Sequence, residues 1–258
     1  MTKTILITGA TDGIGRLTAL QLAQQEHQVL VHGRSPDKLA EVAQEIGGDV
    51  ETYMADLSVL SDVQALIERV LEEHTRLDIL INNAGILKTA KTIAESGRDI
   101  RFDVNTLAPY ALTLGLLPIL PKEGRIINLS SAAQAPLDVS AVLAGTPLDH
   151  MSAYAQSKLA ITIWTAELAR EMPEGPSFIA VNPGSLLATK MVKEGFGIAG
   201  NDMQIGADIL IRASLSGEFS GKSGQYFDND TGSFALPHAA AQDRDHVAQV
   251  MQCIRDAL

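Results

Sequence analysis

Thr4-Ile-Leu-Ile-Thr-Gly-Ala-Thr-Asp-Gly-Ile-Gly15 reads as a strand, a tight turn and the start of a helix. Ile5, Leu6 and Ile7 form an unbroken apolar run, which suits a strand covered on both faces of a parallel sheet. Gly9 lets the chain leave that strand sharply, Gly13 lets backbone approach a ligand with no Cβ in the way, and Gly15 lets the new helix sit close to the sheet. Free amides at such a helix start attract a phosphate. Thr11, Asp12 and Ile14 lie between these glycines and belong to the same candidate phosphate loop.

Outward from this stretch, strand-like and helix-like runs keep alternating. Further strands are expected at 28–31, 50–55, 78–81, 125–129, 178–181 and 225–227. Helices are expected at about 13–25, from Ser35-Pro36, and at 58–74, 98–120, 152–171, 203–215 and 243–257. Ser35 can cap free amides, and Pro36 suits the first helical position. The alternation predicts one α/β domain over residues 1–258, built on a doubly wound, mostly seven-stranded parallel sheet with helices on both faces. Pro136, Gly145 and Pro147 make residues 132–149 read as irregular, and Gly195, Gly197 and Gly200 make the segment about 185–202 read as mobile.

A chain of 258 residues can bury a core of this kind, and its 46% hydrophobic and 4% aromatic content fits helices packed on a sheet. A net charge of -11 opposes both nucleic acid and anionic membrane surfaces as partners. Met1 to Lys3 runs straight into the first strand and no apolar run is long enough to span a bilayer, so a cytoplasmic protein without membrane insertion is expected. Cys253 is the only cysteine, which excludes an intrachain disulfide and a thiolate metal cluster. His27, His32, His74, His150, His238 and His246 are scattered, so no metal is expected.

Tyr154-x-x-x-Lys158 sets two side chains one turn apart on a single helical face. The spacing is common in isolation, but here it closes an ordered series: Gly9, Gly13 and Gly15, then Asn82 to Gly85, Asn105, Ser131, Tyr154 and Lys158. The series resembles the short-chain dehydrogenase/reductase family over most of the chain, with its Thr-Gly-x-x-x-Gly-x-Gly turn. The resemblance implies a Rossmann fold and an oxidoreductase that moves hydride between a nicotinamide and a carbonyl or alcohol. It also implies the roles of four residues: Tyr154 as acid and base, Ser131 polarising the carbonyl, Lys158 lowering the tyrosine pKa and holding the nicotinamide ribose, and Asn105 holding a water near that lysine. Making a phenol of pKa ~10 useful near neutrality takes roughly 3 to 4 kcal/mol. A cation at ~4 Å supplies about that much at an effective dielectric of ~20.

The remaining residues carry over one at a time. Asn83, Ala84 and Gly85 resemble the family's cofactor groove, Asp56 and Leu57 the adenine contact, and Pro183 and Gly184 the turn beside the nicotinamide. Asp56 also reads as a plain cap at a strand end. Thr189, which would meet the carboxamide, comes one residue later than in the usual motif. The long gap from Ser131 to Tyr154 resembles the retinol-dehydrogenase-like and protochlorophyllide-reductase-like branch, and it leaves Ser140 as a rival to Ser131. Family members preferring NAD carry an acid where Gly33 stands here, so Gly33-Arg34 implies NADP(H), with NAD(H) as the alternative. A small-molecule carbonyl or alcohol is the implied partner, and a homo-oligomer, dimer or tetramer, is compatible with the family.

An apolar substrate is expected if Leu137, Val139, Val142 and Leu143, with Met191, Val192, Phe196 and Ile198, wall a cleft; the alternative is that they pack on the body. Pro109 has no amide hydrogen for the Asn105 carbonyl four residues earlier, so the helix should kink there, either to open a proton path or merely to fit its neighbours. A non-catalytic NADP(H) sensor would need the glycines without Ser131, Tyr154 and Lys158. A nucleotide-sugar epimerase would carry a different glycine spacing and a larger C-terminal part.

Overall fold

In the computed structural model, which describes residues 2–48 and 50–258, eight strands form one sheet. In chain order they are β1 (Thr4–Ile7), β2 (Gln28–Gly33), β3 (Thr52–Met54), β4 (Ile79–Asn82), β5 (Arg125–Leu129), β6 (Ser177–Asn182), β7 (Tyr226–Asp228) and β8 (Ser233–Ala235). Their spatial order is β3-β2-β1-β4-β5-β6-β7-β8. The first seven run parallel, and β8 returns antiparallel to β7. The order reverses between β1 and β4, so a crevice opens there at the carboxyl ends of the strands.

The helices are α1 (Gly13–Gln24), α2 (Pro36–Ile46), α3 (Leu60–Glu73), α4 (Ile100–Phe102), α5 (Ala108–Leu116), α6 (Val139–Ala144), α7 (His150–Glu171), α8 (Lys190–Phe196), α9 (Gln204–Leu215) and α10 (Arg244–Asp256). Alternate strand residues feed two cores, as the two-residue period of a strand requires. Leu6, Leu30, Leu80, Ile126 and Phe178 point toward α3, α5, α7 and α10. Ile7, Val31, Ile81, Ile127 and Ile179 point toward α1, α2 and α9. All ten of these side chains are fully buried.

Several elements depart from the sequence expectation. An eighth strand joins the sheet because Phe234 packs on Phe219 and Phe227, with ring centroids 5.3 and 5.1 Å apart. The long helix expected at 98–120 is divided. Pro109 offers no N–H, and just before it residues Asp103–Leu107 widen into a π turn in which Ala108 N bonds back to Asp103 O. The kink expected at Pro109 is therefore a local widening of the helix. The stretch expected to be irregular contains α6, started by Asp138 accepting from Ala141 N at 3.0 Å and ended by Gly145 at φ +62°. The segment expected to be mobile contains α8, capped by Thr189 and closed by Gly197 at φ +70°.

Candidate active site

A cleft of about 1050 Å³ lies over the carboxyl ends of β1, β2, β4 and β5. Thr8 fastens its floor. The Thr8 hydroxyl accepts from the backbone N–H groups of Asn83 and Ala84, both at 3.0 Å. In return Asn83 Nδ2 donates to the carbonyls of Thr8 at 2.8 Å and Gly9 at 3.2 Å. The glycine turn and the end of β4 thus hold each other. Gly9, Thr11, Asp12, Gly13, Ile14 and Gly15 line the cleft on this side. Gly9 and Gly13 have φ of +64° and +54°, which glycine adopts without strain, and Asp12 caps α1 through Gly13 N at 2.8 Å.

Ser131, Tyr154 and Lys158 line the opposite wall. Lys158 is buried, and its Nζ donates to the Leu129 carbonyl at 2.6 Å while lying 5.6 Å from the Tyr154 ring centre. Burial holds the ammonium down, to a pKa of about 8. Burial also pushes the Tyr154 phenol above its ordinary range, and the Ser131 hydroxyl beside it pulls the other way. The expected lowering of Tyr154 by Lys158 therefore does not dominate in the protein alone. Ser140 sits on α6 with its hydroxyl on Asp138 Oδ1 at 2.6 Å and lines no part of the cleft, so of the two rivals only Ser131 lies along it.

Asn105 stands behind Gly85, where an added Cβ would lie 3.4 Å from both Asn105 Oδ1 and Lys158 Nζ. Its amide accepts from Ile86 N at 2.8 Å and donates to Ile86 O at 2.9 Å and Ser157 Oγ at 3.0 Å. It pins the loop after β4 to α7. Asn83, Ala84, Gly85, Pro183 and Gly184 all line the cleft, as do Asp56, Leu57 and Arg34. Asp56 also caps its own turn through Ser58 N at 2.9 Å, as the plain cap reading expects. Thr189 faces Gly13, with its Cγ2 3.4 Å from where a Cβ there would be. At the far end of α8, a Cβ on Gly195 would come within 2.7 Å of Leu87 Cδ2, so this helix lies directly on the opposite wall.

The expected apolar wall is half formed. Met191 and Val192 line the cleft. Leu137 and Val142 turn into the body with Val250, Met251 and Ile254 of α10, and Val139 packs against that core; Leu143 is exposed. The reason is tertiary, since α10 brings an apolar stripe from a hundred residues away. The Phe196 side chain lies outside the described residues, and Ile198 is exposed and off the cleft.

Residues without a sequence signal also shape the site. Lys38 lines the cleft beside Arg34 and the helix cap Ser35, with its Nζ on Asp12 Oδ2 at 2.9 Å. Tyr226 donates to the Ser131 carbonyl at 3.1 Å. At the other end of β3, His74, Glu51 and Glu73 gather around the Tyr53 hydroxyl in a hydrogen-bonded group that the scatter of histidines in sequence conceals.

His32 is the least expected of these. Buried at the end of β2, it accepts from Gly9 N on Nδ1 at 3.2 Å and faces the Ala55 carbonyl with Nε2 at 3.2 Å, so it clamps the glycine turn while neutral. Burial lowers its pKa to about 4. Unfolded, the ring takes up a proton near pH ~6.5, so folding stability is lost as pH falls from there to about 4, by about 3 kcal/mol in total. His32→Asn keeps an acceptor for Gly9 and does not titrate. Urea unfolding at several pH values should show the variant losing less stability in acid; identical losses would remove His32 as the cause.

Comparison with known proteins fits this geometry. Residues 3–196 match the family model described as short chain dehydrogenase. The chain belongs to the short-chain dehydrogenase family. It is an NAD(P)-dependent oxidoreductase of that family's retinol-dehydrogenase-like branch. It is 30% identical to human (Homo sapiens) retinol dehydrogenase 13 over 93% of this chain and 80% of that protein. A structure from Mycobacterium paratuberculosis described as a putative uncharacterized protein overlays with TM-score 0.83 and 26% identity, covering 99% of this chain and 92% of that one. The landomycin C-6 ketoreductase LanV, solved with NADP and rabelomycin, overlays with TM-score 0.70 and 30% identity over 88% and 94% of the two chains. Among the described residues, no helix of this dehydrogenase is long and apolar enough to cross a membrane.

Proposed function

We propose that this enzyme uses NADP(H) to interconvert an apolar carbonyl compound and its alcohol, with Tyr154 as proton donor and acceptor. The observation that carries the reading is the joint presence of Ser131, Tyr154 and Lys158 on one wall of the cleft whose other wall is the glycine turn. The glycine cradle suits a pyrophosphate, because Gly13 presents backbone with only Thr189 near its missing Cβ. Gly15, Asn83 to Gly85, Asp56, Leu57, Pro183 and Gly184 line the rest of the groove in which a dinucleotide would lie. When bound, the nicotinamide supplies or accepts the hydride.

The chain's own groups handle the proton. Tyr154, held above its ordinary pKa by burial, keeps its proton at neutral pH and has it ready for a carbonyl oxygen. Ser131 donates a second hydrogen bond to that oxygen. A charged Lys158 stabilises the tyrosinate left behind, and its lowered pKa eases proton return from solvent. Segment 185–202 spans the cleft between Gly13, which Thr189 faces at one end of α8, and Leu87, which Gly195 meets at the other.

NADP(H) is supported at the end of β2. A Cβ on Gly33 would fall 2.4 Å from Thr11 Cγ2, which leaves no room for an acid there, while Arg34, Ser35 and Lys38 offer donors to a 2′-phosphate. An apolar substrate is supported by Leu87, Leu187, Met191 and Val192 along the cleft. The names of the relatives, a retinol dehydrogenase and a C-6 ketoreductase, support alcohol and carbonyl chemistry.

The test is a panel of apolar aldehydes, ketones and alcohols followed by nicotinamide absorbance with both cofactors, on wild type and Arg34→Ala. Losing a charge-assisted bond should weaken NADPH by about 10- to 100-fold and NADH little. Equal losses for the two cofactors would overturn the NADP(H) assignment. Turnover confined to small polyols would overturn the substrate class.

A further inference from the structure

The Arg101 side chain has no accessible surface, and its partner Asp99 is only 5% exposed. An ion pair sealed from water persists only where its remaining donors also find acceptors. Asp99 Oδ1 accepts from Arg101 N at 2.9 Å and Nε at 2.8 Å, and Oδ2 accepts from Nη2. The rest of the guanidinium reaches two walls of the cleft. Nη1 donates to His150 Nδ1 at 2.6 Å and to the Leu87 carbonyl at 3.5 Å, and Nη2 donates to the Leu148 carbonyl at 3.5 Å. His150 opens α7 one turn before Tyr154, and Leu87 is the wall on which α8 lies.

We propose that Arg101, locked to Asp99, is a positioning residue that holds the first turn of α7 and the Leu87 wall in one alignment, and so places the Tyr154 hydroxyl for proton transfer. This rests on the reading of Tyr154 as the proton donor. The exposed Asp149 caps the same turn through Met151 N and Ser152 N, both at 3.0 Å, but it ties the helix only to itself. Arg101 ties that first turn to the Leu87 wall, as Asn105 ties the following turn to Ile86 through Ser157. A guanidinium can only donate, so His150 Nδ1 presents its lone pair to Arg101.

Arg101→Met would strand Asp99 in the interior and is liable to unfold, so the test uses His150, which is only half-buried. His150→Asn puts an acceptor where Nδ1 stands, whereas His150→Leu keeps bulk and removes the acceptor. His150→Leu should lower kcat by about 10- to 100-fold with the NADPH Kd unchanged, and His150→Asn should stay within about twofold of wild type. Equal losses in the two variants, or full kcat in His150→Leu, would each overturn the proposal. Tyr154→Phe measured alongside separates the two readings. If it stays active, the role of Tyr154 falls; if it is inactive while His150→Leu is fully active, only the positioning role falls.

Discussion

Tyr154→Phe is expected to lower kcat by about 10²- to 10⁴-fold, the range attributable to one well-placed acid and base. The phenol is half-buried on the second turn of a long helix, and its ring stays in the variant, so folding and NADPH affinity should hold. The loss should therefore appear in kcat, with a thermal transition close to that of wild type. Lys158→Met should be as inactive and should differ in a second respect. It replaces a buried ammonium that costs stability by an apolar chain, yet leaves the Leu129 carbonyl without its 2.6 Å donor. A Tyr154→Phe enzyme retaining more than about a tenth of wild-type kcat would remove the tyrosine from the chemistry.

Gly15→Ala is expected to cost more stability than any other single methyl group added to the glycine turn. The new Cβ would lie 2.3 Å from Asn83 Nδ2 and 2.5 Å from the Gly9 carbonyl. Neither atom can retreat cheaply, because Asn83 is the clamp that bonds the Thr8 and Gly9 carbonyls. Overpacking and the lost bonds together should cost about 3 kcal/mol or more, a fall in Tm of about 10 °C for a chain of this size. NADPH protection against thermal unfolding should vanish with it. Gly217→Ala, where an added Cβ meets nothing within 4 Å, is the matched control and should change Tm by little. Equal Tm for the two variants would show that the turn is not packed as described.

The parts of the site legible in the sequence are those whose chemistry is local. Gly9, Gly13 and Gly15 announce themselves by spacing because each answers a backbone demand within one turn. Tyr154 and Lys158 do so because one helical turn separates them. The parallel sheet was legible too, since strands buried on both faces read as unbroken apolar runs. What stayed hidden depends on partners far along the chain. Leu137 and Val142 look like cleft residues until α10 arrives to cover them. Strand β8 has three residues and no run of its own; only the Phe219, Phe227 and Phe234 cluster gives it a place. Helices α6 and α8 are short and depend on their caps, Asp138 and Thr189, at positions where those residues read equally well as loop. His32, Lys38 and Arg101 had no signal at all, because a lone histidine, lysine or arginine gains meaning only from what it touches.

The π turn at Asp103–Leu107 sets the phase of the whole stretch around it. Each residue advances a helix by about 100°, so one residue held outside the regular repeat rotates everything beyond it by that angle relative to everything before. Within the turn itself Asn105 reads Ile86 and Ser157. On the far side the Pro109 carbonyl and Thr113 read Asn82, which passes the chain of bonds to Asn128 and Thr165. A uniform helix could keep one of these sets aligned and would swing the other away. The five residues therefore act as a vernier between the cleft and the polar seam across the sheet. A single-residue deletion or insertion there throws the two halves out of step.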